Sequence, residues 1–348
     1  MIVPIVFLII GFLLLIKGGD WFVDGATGIA RRFHLPEILI GATIVSIGTT
    51  LPEVMVSAGA AMQGSGSIAY GNAIGSIICN TSLIAALTIA IKPSQAARKS
   101  LIMPVLFFFG SAVFYCLTAY LSGTFSRLTG IILLATFVAY MVTTVRKVKT
   151  GAASLDTVMV EESVGALTSE EELEKKSGED HVVESVEQGT KDSFLKDIIL
   201  LIVGAALIAV GADFLVDNAI IIAEKFGVSE KVIGLTIVAL GTSLPELVTA
   251  VTSLIKGHSS LSLGNIIGAN LFNLVLVSGA AVTISPFNVP VSSYIGGINS
   301  SLVIDIPIMF CVMLILTVPT LIKQKVSRWQ GVSLLGIYAA FCALQFII

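Results

Sequence analysis

The sequence has little charge, and this scarcity excludes most water-soluble folds. Only 12% of its 348 residues are Asp, Glu, Lys or Arg, and 55% are hydrophobic, whereas soluble domains carry about 25% charged residues. Apolar runs of roughly 18 or more residues recur, and each is long enough to cross a bilayer core of about 30 Å. The composition therefore predicts an all-α polytopic membrane protein.

Side chains that form disulfides or bind transition metals are also scarce. The four cysteines lie in separate apolar segments, which is typical of small buried residues. The three histidines are scattered, so we do not expect a His-ligated metal. The sequence contains no nucleophile–base pair, phosphate-binding loop or cofactor fingerprint. We therefore expect no enzyme, no cofactor and no nucleic-acid partner.

The charge that is present is segregated. Residues 148–192 hold 12 acidic and 4 basic side chains, a net charge of −8, and the remainder holds 11 acidic and 16 basic ones, +5. A polar, acidic segment cannot bury enough apolar surface to fold alone. We therefore predict three units: a five-helix repeat over 1–147, a flexible linker over 148–192 and a second five-helix repeat over 193–348.

The second half repeats the first at a constant offset of 193 residues. Glu53 corresponds to Glu246 and Asn80 to Asn273, which indicates an internal duplication. Each half has an odd number of spans, so the second must enter the membrane in the opposite sense, as an inverted repeat. The predicted spans are 1–17, 36–62, 68–91, 101–120, 128–145, 194–217, 229–255, 260–284, 300–321 and 329–347.

Basic residues predict the orientation in the membrane. With both termini outside, the loops on the linker side collect 17 Lys and Arg residues, and the opposite side has only Arg127, Lys225 and Lys231. Because Lys and Arg are enriched in cytoplasmic loops, we predict an integral protein of the cytoplasmic (plasma) membrane with the linker inside.

One motif occurs in both halves, as GATIVSIGTTLPE ending at Glu53 and GLTIVALGTSLPE ending at Glu246. An ionised carboxylate at membrane depth is costly unless it meets a cation. Proline lacks an N–H and clashes with the carbonyl four residues back, so we expect the backbone before Pro52 and Pro245 to unwind. At helical spacing from each glutamate lie Ser46, Thr49 and Thr50 in one copy and Ala239, Thr242 and Ser243 in the other.

A second polar stripe follows each motif. In the first repeat it comprises Asn72, Ser76 and Asn80 at helical spacing, and in the second Asn265, Ala269 and Asn273. Glycines at 71, 75, 264 and 268 predict close helix approach. Hydrogen bonding between helices and ion contact explain the first asparagine of each stripe equally well. For Ser76, Asn80 and Asn273 we favour contact with the ion or with its ligands.

The two stripes and the two motifs predict a site made only of oxygen, with two negative charges. Such a site suits hard cations, Ca²⁺ or Na⁺. Two facing carboxylates repel by several kcal/mol even at an effective dielectric constant near 20. A protein with an empty site should therefore resist crossing the barrier between its open states. This favours obligatory exchange over a channel or a scaffold. A H⁺/Ca²⁺ exchanger, in which protons discharge the glutamates, is the alternative.

The two motifs, with GNAIGSIICN ending at Asn80 and GNIIGANLFN ending at Asn273, closely resemble the α-repeats of the sodium/calcium exchanger family, among the calcium/cation antiporters. The resemblance spans essentially all ten helices. It implies electrogenic, Na⁺-driven Ca²⁺ transport by alternating access, with more than two Na⁺ per Ca²⁺. It also implies that spans one and six slide across a rigid core of spans two, three, seven and eight.

The resemblance assigns individual ligands as well. It implies that Ca²⁺ binds Glu53 and Glu246 with backbone oxygens of Thr49 and Thr242. Two departures matter: Ala269 replaces a serine usual in the family, which removes a hydroxyl ligand, and Asn273 stands where potassium-dependent relatives tend to have aspartate. The implied Na⁺ ligands are Thr50, Ser76 and the Ser46 carbonyl on one side, and Ser243 and the Ala239 carbonyl on the other.

Overall fold

A computed structural model of the chain describes residues 2–33, 35–166, 180–226, 241–291 and 293–347. Within these ranges, eight helices are long and apolar enough to cross a membrane. The apolar helices Leu244–Ile255 and Arg328–Ile347 occupy the positions of the two remaining predicted spans. Every predicted span therefore has a helical counterpart in the described part of the chain.

The first half contains seven helices, and two π-helical segments, Gly41–Val45 and Asn80–Ala85, run directly into the helices that follow them. These wide turns divide the second and third spans without ending them. The helices are α1 (Ile2–Arg32), α2 (Glu37–Ile40), α3 (Ser46–Met62), α4 (Gly66–Cys79), α5 (Ala86–Ile91), α6 (Arg98–Ser122) and α7 (Arg127–Ala166).

The second half follows the same order, with π-helical segments Asn273–Val277 and Ser301–Asp305. Its first helix and the last helix of the first half both extend into the acidic segment. The centre of that segment, 167–179, lies outside the described residues, so its flexibility stays a prediction. The helices are α8 (Asp180–Lys225), α9 (Leu244–Ile255), α10 (Ser259–Phe272), α11 (Ser278–Ile284), α12 (Ile306–Lys323) and α13 (Arg328–Ile347).

Short strands connect helix ends on the side away from the linker. Strand β1 (Thr124–Phe125) pairs antiparallel with β2 (Phe287–Asn288) and so ties the two halves together. Strands β3 (Tyr294–Ile295) and β4 (Ile298–Asn299) form a separate hairpin.

Helices α1 and α8 pack against each other through glycines spaced seven residues apart. A Cβ atom added to Gly11 would lie 2.8 Å from the Gly211 carbonyl oxygen, and one added to Gly18 would lie 2.9 Å from the Gly204 carbonyl oxygen. Residue number rises along one helix as it falls along the other, so the helices are antiparallel. Gly204 and Gly211 are also the repeat equivalents of Gly11 and Gly18. The contact is therefore reciprocal, as a two-fold relation between inverted repeats requires.

This packing explains why the first helix is longer than predicted. The apolar run predicts a first span that ends at Lys17, but α1 continues to Arg32. Exposed glycines weaken a helix, whereas here Gly18 lets the backbone of α8 approach closely. The tertiary contact outweighs the local propensity.

Helix α10 is the centre of the fold. Of the 18 most apolar consecutive residues in the span that contains α10, 83% are buried. The same fraction is 22% for the span of α8. Cβ atoms added to Gly264 and Gly268 would lie 2.2 Å from the Ile38 oxygen and from the Ser46 hydroxyl. The predicted close approach is therefore confirmed for the second repeat. The first-repeat glycines at 71 and 75 have no described neighbour within 4 Å of an added Cβ.

Candidate cation-binding site

The structure brings the two motif glutamates together in the interior. Glu53 lies on α3 and Glu246 in the first turn of α9, and both side chains are 0% exposed. The two carboxyl groups lie within electrostatic range of each other, and none of their four oxygen atoms has a described hydrogen-bond partner. Among the described residues, every ion pair lies elsewhere, near the linker ends of the helices.

The two prolines act differently in the two repeats. Helix α9 begins at Leu244 with Pro245 in its first turn, and Thr242 and Ser243 are non-helical, so the predicted break is confirmed there. In the first repeat the prediction is wrong, because α3 runs through Pro52 without interruption. The π-helical segment just before α3 places the Gly41 carbonyl where the Ser46 hydroxyl donates to it at 2.7 Å. The Gly41 carbonyl is thus satisfied while the helix continues.

Several predicted ligands carry buried polar atoms that have no partner. The Thr50 and Ser243 hydroxyls and both amide atoms of Asn80 and Asn273 make no hydrogen bond, and all four side chains are at most 1% exposed. A buried polar group without a partner costs about 1–3 kcal/mol. Unpaired buried atoms also occur elsewhere, at Ser111 for example, but in the described part of the chain only those of this site accompany two buried carboxylates. This donor set fits a hard cation.

The two asparagines lie at equivalent wide turns. Asn80 and Asn273 each begin a π-helical segment, and such turns are frequent at functional sites. The segment that begins at Asn80 packs against α9, which carries Glu246, and the segment that begins at Asn273 packs against α3, which carries Glu53. Each repeat therefore presents its amide to the helix that holds the other repeat's carboxylate. Sequence patterns did not reveal these turns.

The remaining predicted ligands differ in how free their side chains are. The Thr49 hydroxyl donates to Asn265 Oδ1 at 3.2 Å, and Ser46 donates to the Gly41 and Asn265 carbonyls. Each of these hydroxyls already donates its proton, so it can offer a cation only its oxygen lone pairs, as the main-chain carbonyls do. Ser76 is 4% exposed, and Ala239 lies outside the described residues.

Two large cavities reach the site region. One of about 460 Å³ is lined by Asn72, Ser76 and Thr242, and one of about 840 Å³ by Pro52, Thr242 and Asp217, among others. On the linker side, a cavity bordered by Thr88 and Ser259 has only about 10 Å³. The 460 Å³ cavity, which Pro290 also lines, opens on the side away from the linker, and the 840 Å³ cavity lies between α1, α3 and α8.

Two carboxylates without a basic partner need a mobile positive charge. At a separation of about 4 Å and an effective dielectric constant of about 20 they repel by about 4 kcal/mol. The described residues contain no group of three or more His, Cys, Asp or Glu side chains that could together hold a metal ion. Neutral oxygens must therefore complete the ligand set. A helical membrane bundle with such a site between inverted repeats defines a cation transporter.

Comparison with known proteins gives the family. The sodium/calcium exchanger protein family matches this chain over residues 3–146 and 196–347. The chain therefore belongs to the sodium/calcium exchanger family, and its fold is ten transmembrane helices in two inverted five-helix repeats. Members of this family are transporters of Ca²⁺ and Na⁺, not enzymes, and use no cofactor.

Individual relatives agree along the whole chain. The chain is 30% identical to the sodium/calcium exchanger MaX1 of Methanosarcina acetivorans, and the alignment covers 98% of both. It is 32% identical to an uncharacterised membrane protein of Methanocaldococcus jannaschii, over 97% of this chain and 96% of that one. The sodium-calcium exchanger NCX_Mj, soaked with Na⁺ and Sr²⁺, matches with a TM-score of 0.73 and 29% identity over 98% of both chains.

Proposed function

We propose that this protein is an electrogenic antiporter that exchanges Na⁺ for Ca²⁺ by alternating access. The observation that carries the proposal is the buried Glu53–Glu246 pair, which has no basic partner among the described residues. A divalent cation compensates both charges, and so do two or more Na⁺ ions. The whole-length similarity to the exchanger MaX1 supports Na⁺ as the counter-ion.

The proposed ligands are those that the family resemblance implies. Ca²⁺ binds the two glutamates together with the main-chain oxygens of Thr49 and Thr242. Flexible oxygen shells of this kind suit Ca²⁺, which takes six to eight oxygen ligands. Asn80 and Asn273 support the carboxylates from the π-helical segments. The flanking Na⁺ ligands are Thr50, Ser76 and the Ser46 carbonyl in the first repeat, and Ser243 and the Ala239 carbonyl in the second.

The proposed conformational change is a sliding of α1 and α8 across the other helices. The glycine contact between α1 and α8 buries main chain against main chain, so the two helices move as one unit. The basic residues favour both termini outside and the linker in the cytoplasm of the plasma membrane. In this orientation the cavity lined by Asn72 and Ser76 faces outward.

A H⁺/Ca²⁺ exchanger is the second candidate. Ala269 removes one hydroxyl from the second Na⁺ site, and protons could discharge the same two carboxylates. The putative antiporter CaxA of Alkalimonas amylolytica is 32% identical over 82% of both chains, and its name specifies no counter-ion.

Ca²⁺ flux into proteoliposomes, with Na⁺, K⁺ and pH gradients imposed separately, tests the proposal. We expect uptake to follow the Na⁺ gradient, to generate current, and to be unaffected by K⁺. Uptake that ignores Na⁺ and follows the pH gradient selects the proton exchanger. Net Ca²⁺ current without any counter-ion identifies a channel instead. The Glu53→Gln variant, in the same vesicles, measures the leak that is unrelated to the site.

A further inference from the structure

Three pairs of equivalent positions make the two halves of the site unequal. Ser46, Ser57 and Ser76 in the first repeat correspond, at the offset of 193, to alanines at 239, 250 and 269. Alanine neither donates nor accepts a side-chain hydrogen bond. Any bond made by these serines therefore has no twin in the second repeat.

Asn72 uses one of these serines within its own repeat. Its amide nitrogen donates to the Ser57 hydroxyl at 2.9 Å and to the Glu53 carbonyl at 3.2 Å. Helix α4 is thus fastened to the main chain of α3 at the position of the glutamate.

Its repeat equivalent, Asn265, does not copy this arrangement. With Ala250 in place of a serine, the Asn265 amide nitrogen has no hydrogen-bond partner. The rest of the residue instead turns to the opposite repeat, where Thr49 donates to its side-chain oxygen at 3.2 Å and Ser46 to its main-chain oxygen at 2.9 Å. Asn265 is 0% exposed, and Thr49 lies beside the Glu246 carboxyl group.

Both asparagines therefore hold the first-repeat ligands, and neither makes a side-chain bond to the described second-repeat ligands. We propose that Asn265 is a positioning residue that fixes Ser46 and Thr49 across the repeat boundary and makes the first-repeat half the tighter Na⁺ site. Ligand oxygens that are already held in place bind a small cation with less ordering cost. The inference rests on the proposed Na⁺ exchange and extends it to an order between the two Na⁺ sites.

The test compares Asn265→Ala with Asn270→Ala. Asn270 lies on the same helix, is also 0% exposed, and donates to Thr81 at 2.7 Å, outside the proposed ligand set. Asn265→Ala removes the side-chain bond to Thr49 and leaves the main-chain bond to Ser46. Thr49 directly precedes the proposed Na⁺ ligand Thr50, and its hydroxyl lies 3.5 Å from the Ser46 carbonyl, the next proposed Na⁺ ligand. In proteoliposomes we therefore expect Asn265→Ala to raise the half-saturating Na⁺ concentration about three- to tenfold, the range of one buried hydrogen bond. The half-saturating Ca²⁺ concentration should shift less, because the carboxylates dominate Ca²⁺ binding. The Asn270→Ala variant should not shift the half-saturating Na⁺ concentration more than the half-saturating Ca²⁺ concentration.

A double-mutant cycle with Thr49→Val identifies the bond itself. Thr49→Val removes the same hydrogen bond from the other side and also serves if Asn265→Ala does not fold. If the bond carries the effect, the double variant shifts Na⁺ dependence no more than either single variant.

Two results would overturn the inference while Na⁺ exchange stands. In the first, the shifts caused by Asn265→Ala and Thr49→Val multiply in the double variant. In the second, the Asn265 and Asn270 variants shift the half-saturating Na⁺ and Ca²⁺ concentrations equally. A wild-type flux that ignores Na⁺ would overturn the proposed function, and the Na⁺ assignment with it.

Discussion

Replacing either buried glutamate with glutamine should produce opposite effects on stability and on ion response. Glu53 and Glu246 are fully buried and lie within electrostatic range of each other. Glutamine keeps the size of the side chain and removes the charge. Without transported ions, the change relieves the repulsion between the carboxylates, so each single variant should unfold at a higher temperature than the wild type.

Coulomb's law bounds the size of the effect. Two unit charges about 4 Å apart at an effective dielectric constant of about 20 repel by about 4 kcal/mol. Proton uptake relieves part of this repulsion in the wild type, so the value is an upper bound. Saturating Ca²⁺ instead favours the wild type. A ligand at 100 times its dissociation constant stabilises the native state that binds it by about 2.7 kcal/mol. The variants, with one charge left, should gain far less.

Thermal unfolding in detergent, with and without Ca²⁺, measures both effects. We expect Ca²⁺ to raise the unfolding temperature of the wild type and to leave Glu53→Gln and Glu246→Gln nearly unchanged. The matched control is Glu37→Gln, which makes the same chemical change at a partly exposed residue that contacts His258. It should keep the full response to Ca²⁺.

Two results would contradict this account. A glutamine variant that is less stable than the wild type without ions would show that the carboxylates are satisfied by partners within the protein. A variant that keeps both the Ca²⁺ shift and Ca²⁺ exchange would remove that glutamate from the site.

Three further predictions test the rest of the structure. Gly264→Ala places a Cβ 2.2 Å from a main-chain oxygen of α2 and should destabilise the protein by about 1–3 kcal/mol. The control Gly110→Ala, whose added Cβ has no described atom within 4 Å, should not destabilise it. The unfolding temperatures of the two variants test this prediction. Ala269→Ser restores a hydroxyl and should lower the half-saturating Na⁺ concentration in flux assays; no change would mean that the position is not a ligand. Lys256→Gln removes the 2.7 Å ion pair with Asp24 and should cost at most about 1 kcal/mol, since the pair is partly exposed. That loss should shrink in high salt, and a loss insensitive to salt would point to packing instead.

Much of the architecture is readable from the sequence, because a bilayer imposes strong constraints. Every spanning segment must be apolar and satisfy its own backbone, so hydropathy alone locates the helices. The offset of 193 residues and the odd number of spans then imply inverted repeats. From these two facts, Glu53 and Glu246 could be placed opposite each other before any coordinates were known.

Local propensity failed where tertiary contacts outweigh it. The apolar run of the first span ends at Lys17, yet α1 continues through Gly18, which packs against the backbone of α8. Pro52 reads as a break, yet α3 continues, while its twin Pro245 begins a new helix. Equivalent motifs thus adopt different backbones in the two repeats.

The sequence by itself determined the helical membrane fold, the duplication and the chemical type of the site, since these depend on composition and period. Only the tertiary structure decided which polar atoms are engaged and which are free. Asn72 and Asn265 occupy equivalent positions, but one bonds within its repeat and the other bonds across to Thr49. That choice depends on which hydroxyls lie within about 3 Å of an amide, a distance that spacing along the chain does not contain.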